Sequence, residues 1–391
     1  MHNLKTIYLD NAATTMLSAE VADGLAKSYH QAWGNPASQH RDGRHAQATL
    51  EDAKDRIKAC CLGSLSHGSM QAWQLVITSG GTEANNLAIR GLRATPMTSL
   101  VVSAVEHTSV LALATDAQGD AANSHVVEVG AQGQVNIDAL ERLLSGLQCG
   151  TLVSVMLGNN ETGIVQSLEP IAAVCRRYGA MLHCDVVQAF GKVPVSDFVP
   201  WVDAFTITAH KLHGPIGVGA LMVRAATPLR PLLLGGGQQL GLRPGSESVP
   251  LVMAMAEACE QAESERAGGA MVRVAELRDA FETNLLALGL DCEVIGRNTS
   301  RLPHIALLAF PGLDRQALLM AFDMAGIACS SGSACASGSS QPSHVLTAMR
   351  LPPLWVNGAI RFSFSRFSSY DQVELAVQRV AEVARKMRKR S

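Results

Sequence analysis

Short apolar runs alternate with longer amphipathic segments along most of the chain. Runs of strand length are followed by segments whose apolar residues recur every three or four positions. Strands are predicted at residues 75–78, 100–104, 151–156, 181–184 and 205–208, with 218–223 as an antiparallel neighbour of the last. Helices are predicted over residues 84–92, 109–115 and 167–178. This alternation predicts an α/β fold with a mostly parallel sheet.

The pattern changes after about residue 250, which indicates a second domain. One long Ala/Glu/Arg-rich helix is predicted over residues 251–289, followed by strands near Ile305 and Ile360 and a Gly/Ser-rich loop, CSSGSACASGSSQPS. The predicted organisation has three parts, which are an N-terminal segment (1–14) packing with the small domain, a large domain (15–255) and a small α+β domain (256–391) that carries the loop.

Composition and charge exclude several classes of protein. The 391 residues include 32 Lys and Arg against 34 Asp and Glu, a net charge of −2, so direct nucleic-acid binding is not expected. No stretch reaches the roughly 18 apolar residues of a membrane helix, so we expect a cytoplasmic protein with no membrane partner. The nine cysteines form no disulfide framework. Cys329 and Cys335 lack zinc-site spacing, so no metal site is expected.

Polar residues follow the ends of several predicted strands. They are Thr82, His107, Asn160, Asp185 and Lys211. In open α/β sheets, ligands bind in the crevice beyond the carboxyl ends of the strands. We therefore expect these side chains to converge on one site.

Lys211 is the residue that most suggests chemistry. It lies after His210 in a turn between two apolar strands, and a desolvated lysine can form a Schiff base with a carbonyl cofactor. The alternative is a strand-end lysine that extends its amine to solvent. Asp185 could hold the ring nitrogen of pyridoxal 5'-phosphate (PLP) protonated, or could instead cap a following helix.

Further residues could complete a PLP site. Gln188 could reach the phenolate oxygen, and His107 could stack on the ring or exchange protons, although a histidine at the start of a helix often has only a capping role. The phosphate would suit a helix N-terminus with nearby polar groups, and these are Gly81, Thr82, Thr208 and His210.

The chain resembles the cysteine desulfurases, a family in the class V aminotransferase group of PLP enzymes. The resemblance covers nearly the whole chain and rests on strings in family order: YLDNAATT (8–15), GNPASQH (34–40), TSGGTEANN (78–86), EHTSV (106–110), GNNETG (158–163), HCDVVQ (183–188), AHKLHGPIGVGAL (209–221) and SSGSACAS (330–337). It implies the PLP-dependent transferase fold type I, with a seven-stranded sheet.

The resemblance also implies roles for individual residues. Lys211 would carry PLP, His107 would stack on its ring, and Asp185 and Gln188 would hold the ring nitrogen and the phenolate. Ser246 would complete the phosphate site of the partner subunit in a homodimer, where the family usually has threonine. The substrate-binding residues would be Arg361, whose planar fork suits a carboxylate, and Asn160. A surface strand position is the alternative for Arg361.

The implied activity is conversion of L-cysteine to L-alanine, with the sulfur kept as a persulfide on Cys335. The long loop between Cys335 and Trp355 resembles the branch with an extended mobile catalytic loop. A protein sulfur acceptor is implied, in iron-sulfur cluster assembly, tRNA thiolation or DNA phosphorothioation. The alternatives are a selenocysteine lyase, an aminotransferase or a β-lyase on the same scaffold, or a non-catalytic assembly subunit.

Overall fold

The computed structural model describes residues 6–63, 70–93, 98–115, 123–147, 150–332 and 341–389. The strands are β1 (Ile7–Tyr8), β2 (Trp73–Thr78), β3 (Leu100–Ser103), β4 (Ser124–Val127), β5 (Leu152–Ser154), β6 (Met181–Asp185), β7 (Ala204–Thr208), β8 (Gly219–Arg224), β9 (Glu293–Val294), β10 (Ile305–Ala309), β11 (Ile327–Ala328) and β12 (Ala359–Ser363). The helices are α1 (Ala19–Gln31), α2 (Arg41–Leu62), α3 (Gly81–Leu92), α4 (Thr108–Thr115), α5 (Ile137–Ser145), α6 (Leu168–Arg177), α7 (Val249–Ala267), α8 (Ala270–Ala287), α9 (Arg315–Met324), α10 (His344–Ala348), α11 (Pro353–Asn357) and α12 (Tyr370–Arg388).

The largest sheet has seven strands in the order β2-β8-β7-β6-β5-β3-β4. Strands β7, β6, β5, β3 and β4 run parallel, and β8 runs antiparallel to both β2 and β7. Helices cover the parallel strands, so β5 and β7 are buried along their whole length and consist mainly of apolar residues. The predicted α/β class, the mostly parallel sheet and the antiparallel neighbour of β7 are confirmed.

A single helix over residues 251–289 was predicted, and this prediction is wrong. The structure has two helices, α7 and α8, which are separated by Gly268 and Gly269. Gly269 has a φ of +85°, in the left-handed region that a residue with a Cβ rarely adopts. Because this conformation cannot continue an α-helix, one helix ends and a second begins at this point.

The predicted length of the loop between Cys335 and Trp355 is also wrong. Cys335 lies outside the described residues, but the part of the loop from residue 341 onward contains α10 and the start of α11. Ser343 begins α10 because its hydroxyl accepts a hydrogen bond from the amide of Leu346, at 3.2 Å. Val345 and Leu346 are buried, which fixes this helix against the core.

The C-terminal part of the chain has its own sheet and core. Strands β12, β10 and β9 form an antiparallel sheet, and β1 pairs in parallel with β11. The core beside this sheet contains the aromatic side chains of Phe281, Phe310, Phe322, Phe362 and Phe364, together with Ile7 and Leu9. The N-terminal segment therefore packs into the C-terminal core, although the exact domain limits at residues 14 and 255 stay a prediction.

We predict that Leu9→Ala lowers the free energy of unfolding by about 2–5 kcal/mol, because it removes a fully buried side chain and leaves a cavity. Thermal and denaturant unfolding of the purified variant measure this loss. Thr6→Ala, at an exposed position three residues earlier, serves as the control and should change stability by less than about 0.5 kcal/mol. Equal stabilities of the two variants would show that the segment does not contribute to this core.

Candidate active site

A cavity of about 350 Å³ lies at the carboxyl ends of the parallel strands. The predicted site residues that line it are Gly81, Thr82, His107, Asn160, Asp185, Gln188, Thr208, His210, Lys211 and Arg361. Two predicted residues are not among them. Ser246 lines a different cavity, beside Gln238 and Glu247, and Cys335 lies outside the described residues.

Lys211 is placed by the end of β7. The strand ends at Thr208, and a single helical turn over Ala209–Lys211 follows. The amine of Lys211 donates to the carbonyl of Ala12 at 2.6 Å and to that of Ala13. The lysine is therefore held against the N-terminal segment at the cavity wall, and does not extend its amine into bulk solvent.

Asp185 is the last residue of β6, and its carboxylate is almost completely buried. One oxygen accepts from the Asn85 side-chain amide at 2.8 Å, and the other accepts from the Val187 backbone amide at 2.9 Å. Turns follow Asp185 in place of a helix, so the alternative helix-cap role does not apply. Two donors fix this carboxylate at the cavity wall.

Asn85 is a site residue that sequence reasoning did not single out. It lies in α3 inside the string TSGGTEANN, and its amide also donates to the hydroxyl of Ser109 at 2.9 Å. Ser109 Oγ in turn lies 2.8 Å from Nδ1 of His107, which also accepts the Ser109 backbone N–H at 3.1 Å. Because Nδ1 accepts this N–H, the hydrogen of the His107 ring lies on Nε2. The signal available in the sequence was a buried polar residue on an otherwise apolar helix face.

The start of α3 is open to an anion. Its N-cap residue, Gly80, provides no side-chain cap, so the first amides of the helix are available to a ligand. A Cβ on Gly81 would approach Val187 to 3.2 Å, so the close packing there favours glycine. His210 lines the same cavity, and burial, with the charges of Lys211 and Lys192, lowers its pKa to about 4. Its ring is therefore neutral at pH 7.

Arg361 is buried in β12, which excludes the surface position considered as an alternative. Its guanidinium donates to the backbone carbonyl of Asn160 at 2.6 Å and to the carboxylate of Asp10 at 2.9 Å. These partners hold the planar fork beside the cavity, where a guanidinium can bind a carboxylate through two parallel hydrogen bonds. Asp10 was not predicted as a site residue, although it lies in the quoted string YLDNAATT.

Two buried carboxyl groups support the cavity from behind. Glu106 accepts from the Ser103 hydroxyl at 2.6 Å and from the Met156 amide at 2.7 Å through one oxygen, while its other oxygen has no partner among the described residues. Burial, together with a smaller effect from the charge of Asp185, raises the pKa of Glu106 to about 8. Glu106 is therefore largely protonated at neutral pH, which avoids a second negative charge beside Asp185.

Glu161 links the cavity to the start of α10. Its carboxylate accepts from the hydroxyl of Ser343 at 2.6 Å, and burial raises its pKa above the usual range. The other end of the Gly/Ser-rich loop is also close, since a Cβ on Gly332 would lie 3.1 Å from the Glu161 carboxylate. Glu161 thus contacts the described residues on both sides of the segment that contains Cys335.

The donor set of the cavity fits PLP. A fixed carboxylate (Asp185) suits the ring nitrogen, a side-chain amide (Gln188) suits the phenolate oxygen, and a lysine amine (Lys211) suits the aldehyde. The open start of α3 and the hydroxyl of Thr208 suit the phosphate. No group of three or more His, Cys, Asp or Glu in the described chain is arranged to hold a metal ion.

The family model of the class V aminotransferases matches residues 7–375. The chain belongs to the class V aminotransferase family. A cysteine desulfurase of Bradyrhizobium diazoefficiens is 38% identical over 388 residues, which cover 99% of this chain and 96% of that protein. The crystal structure of a NifS-like protein from Rickettsia africae has a TM-score of 0.87 at 29% identity, covering 97% and 99% of the two chains.

A third similar structure carries a ligand. It is described as SspA in complex with cysteine, and it matches with a TM-score of 0.74 at 27% identity, covering 93% of this chain and 100% of that one. These class V relatives confirm the fold and family predicted from the sequence. None of the helices that the structure describes has the length and apolar character needed to cross a membrane.

We predict that Glu106→Gln removes one contribution to the pH dependence of stability between about 4.5 and 8. The folded protein binds the Glu106 proton more tightly than the unfolded chain does, so the contribution of Glu106 to wild-type stability falls as pH rises from 4.5 toward 8. A glutamine has no proton to lose. Thermal unfolding at several pH values should therefore show that the stability of the variant relative to the wild type increases as pH rises.

A surface substitution, Glu374→Gln, is the control for this measurement, because Glu374 is exposed. Its unfolding midpoint should follow the wild type at every pH. A constant offset between Glu106→Gln and the wild type across the range would contradict the raised pKa.

Proposed function

We propose that this chain is a PLP-dependent cysteine desulfurase that converts L-cysteine to L-alanine and keeps the sulfur as a persulfide on Cys335. The observation that carries the proposal is one cavity that contains the amine of Lys211, the carboxylate of Asp185 and the guanidinium of Arg361. Its curated relative from Bradyrhizobium diazoefficiens is named a cysteine desulfurase, and a structural relative is described in complex with cysteine. Both support cysteine as the substrate.

PLP, when bound, withdraws electrons from the α carbon of an amino acid joined to its aldehyde carbon, which makes the α proton acidic. Lys211 Nζ is the group placed to hold the aldehyde and, once released, to accept the α proton. Asp185 would hold a proton on the ring nitrogen, because its two hydrogen bonds fix the carboxylate at the cavity wall. Both roles use atoms that already line the cavity.

The substrate is oriented by its carboxylate. Arg361 binds this group through its guanidinium, which Asp10 and the Asn160 carbonyl hold in place, and the Asn160 side chain assists. His107 would pack on the cofactor ring and could pass a proton at Nε2 to or from the substrate thiol.

Sulfur transfer uses Cys335. Its thiolate forms an S–S bond to the substrate sulfur as the C–S bond of the substrate breaks. The carbon skeleton takes up a proton and leaves as alanine, so that L-cysteine and the Cys335 thiol become alanine and a persulfide. A thiolate on a protein acceptor can then attack this persulfide and take the outer sulfur.

We also propose that the enzyme is a homodimer in which Ser246 completes the phosphate site of the partner subunit. Ser246 lies outside the cavity of its own chain. Arg243, three residues earlier, pairs with Glu83 of α3 at 2.9 Å, so the segment lies close to the helix start without reaching the cavity. Both facts support a role for Ser246 in the neighbouring site.

We predict that purified protein incubated with L-cysteine forms alanine and gains one sulfur atom on the peptide that contains Cys335. Cys335→Ala should abolish both signals while the absorbance of bound PLP remains. Alanine quantification and peptide mass spectrometry measure the two products. The matched control is Cys329→Ala, because burial raises the pKa of the Cys329 thiol far above its usual range and keeps it unreactive.

Cys329→Ala should keep both signals. Wild-type alanine formation by Cys335→Ala would contradict the role of Cys335 as nucleophile. A bound cofactor that yields neither alanine nor persulfide would point to an aminotransferase or a β-lyase on the same scaffold.

A further inference from the structure

His304 contacts Gln188 from behind the cavity. It precedes β10, it is 2% exposed, and its Nε2 lies 3.1 Å from Oε1 of Gln188. It does not line the PLP cavity itself. The sequence gives no motif for His304 beyond a polar residue at the edge of the apolar run IALLAF.

The orientation of the Gln188 amide follows from its other partner. Gln188 Nε2 lies 2.8 Å from the backbone carbonyl oxygen of Ala12, which can only accept a hydrogen bond. A flipped amide would place two oxygens against each other at this distance. The amide nitrogen therefore faces Ala12, and the amide oxygen faces His304.

This orientation decides the proton position on His304. Gln188 Oε1 can only accept, so Nε2 of His304 carries the hydrogen. The ring is neutral, because burial and the positive charges of Lys192, Arg361, Arg278 and Lys211 lower the pKa of His304 well below its usual value. Its Nδ1 accordingly carries no hydrogen, which agrees with the lack of a partner for this atom among the described residues.

The same carbonyl also holds the cofactor lysine. Ala12 accepts from Lys211 Nζ at 2.6 Å as well as from Gln188. Gln188 has two N–H groups on one nitrogen, and only one is used by Ala12. The second N–H group can therefore donate to a ligand in the cavity that Gln188 lines.

We infer that His304 is a positioning residue, whose Nε2–H fixes the Gln188 amide so that its second N–H faces the phenolate oxygen of PLP. The inference rests on the proposed PLP site. His304 does not touch the cofactor; together with the Ala12 carbonyl, it holds the Gln188 amide with its nitrogen, and not its oxygen, toward the phenolate. An amide N–H at the phenolate favours the deprotonated oxygen, so losing that donor makes the cofactor hold its proton more tightly.

The experiment compares two amide substitutions of His304 in the PLP-loaded enzyme without substrate. In His304→Gln the side-chain nitrogen reaches one bond further than in His304→Asn, and it can replace the N–H at Nε2. Asparagine is too short to reach Gln188. The readout is the pH midpoint of the absorbance change of the bound cofactor. A general loss of protein stability would not raise this midpoint consistently.

We expect the midpoint of His304→Asn to rise by about 0.5 to 1 pH unit. This is less than the roughly 1 to 2 units for complete loss of a hydrogen bond to a charged group, because Ala12 still holds the amide and the contact with the phenolate is weakened and not lost. His304→Gln should titrate like the wild type. In a Gln188→Leu background, His304→Asn should add no further shift, because the residue through which His304 acts is gone. His304→Leu provides a second donor-free variant if the asparagine variant does not fold.

Equal midpoints for the wild type, His304→Asn and His304→Leu would overturn the inference. A shift that persists in full in the Gln188→Leu background would overturn it too, because His304 would then act by another route. The outcome is separable from that of the desulfurase proposal. Absent alanine and persulfide with a normally titrating cofactor would remove the proposed reaction but leave this measurement valid.

Discussion

The backbone carbonyl of Ala12 is the contact on which the site depends. It accepts hydrogen bonds from Lys211 and Gln188, and so joins the reactive amine to the side chain that would bind the phenolate of the cofactor. The segment that carries Ala12 is itself fixed to β12 by two hydrogen bonds, from the Asn11 side chain to the Ser363 carbonyl at 2.8 Å and from the Ala12 amide to the Ser363 hydroxyl at 2.9 Å. The N-terminal segment therefore connects the seven-stranded sheet to the C-terminal sheet.

A second lysine, Lys192, lies close to this contact. Lys192 donates to the backbone carbonyl of Lys211 at 3.1 Å, and burial together with the charge of Lys211 lowers the pKa of Lys192 to about 7. An uncharged amine is the nucleophilic form of a lysine, so Lys192 is a second amine near the site that could react with an aldehyde. On the opposite wall, protonation of Glu106 leaves Asp185 as the carboxylate available to a ring nitrogen.

The sequence predicted the fold class well because the strands of a parallel sheet are apolar runs ended by turns. It also indicated which residues meet in the cavity, since Asp185 and Lys211 follow strand ends. It did not predict the helix break at Gly269. Each glycine destabilises a helix by only about 1 kcal/mol relative to alanine, so tertiary packing decides whether the helix continues through a Gly-Gly pair. The contact of His304 with Gln188 could not be predicted, because it joins residues 116 positions apart and leaves no local pattern in the sequence.

Borohydride reduction of the PLP-loaded enzyme, followed by peptide mapping, tests most directly whether this network holds the cofactor. Reduction makes the bond between PLP and its lysine permanent, so the peptide that carries the cofactor identifies the reactive amine. Lys192 is the competing amine in this test, because it contacts the backbone of Lys211 and its pKa is lowered to about 7. The account predicts the reduced cofactor on Lys211. Its presence on Lys192, or on neither lysine, would contradict it.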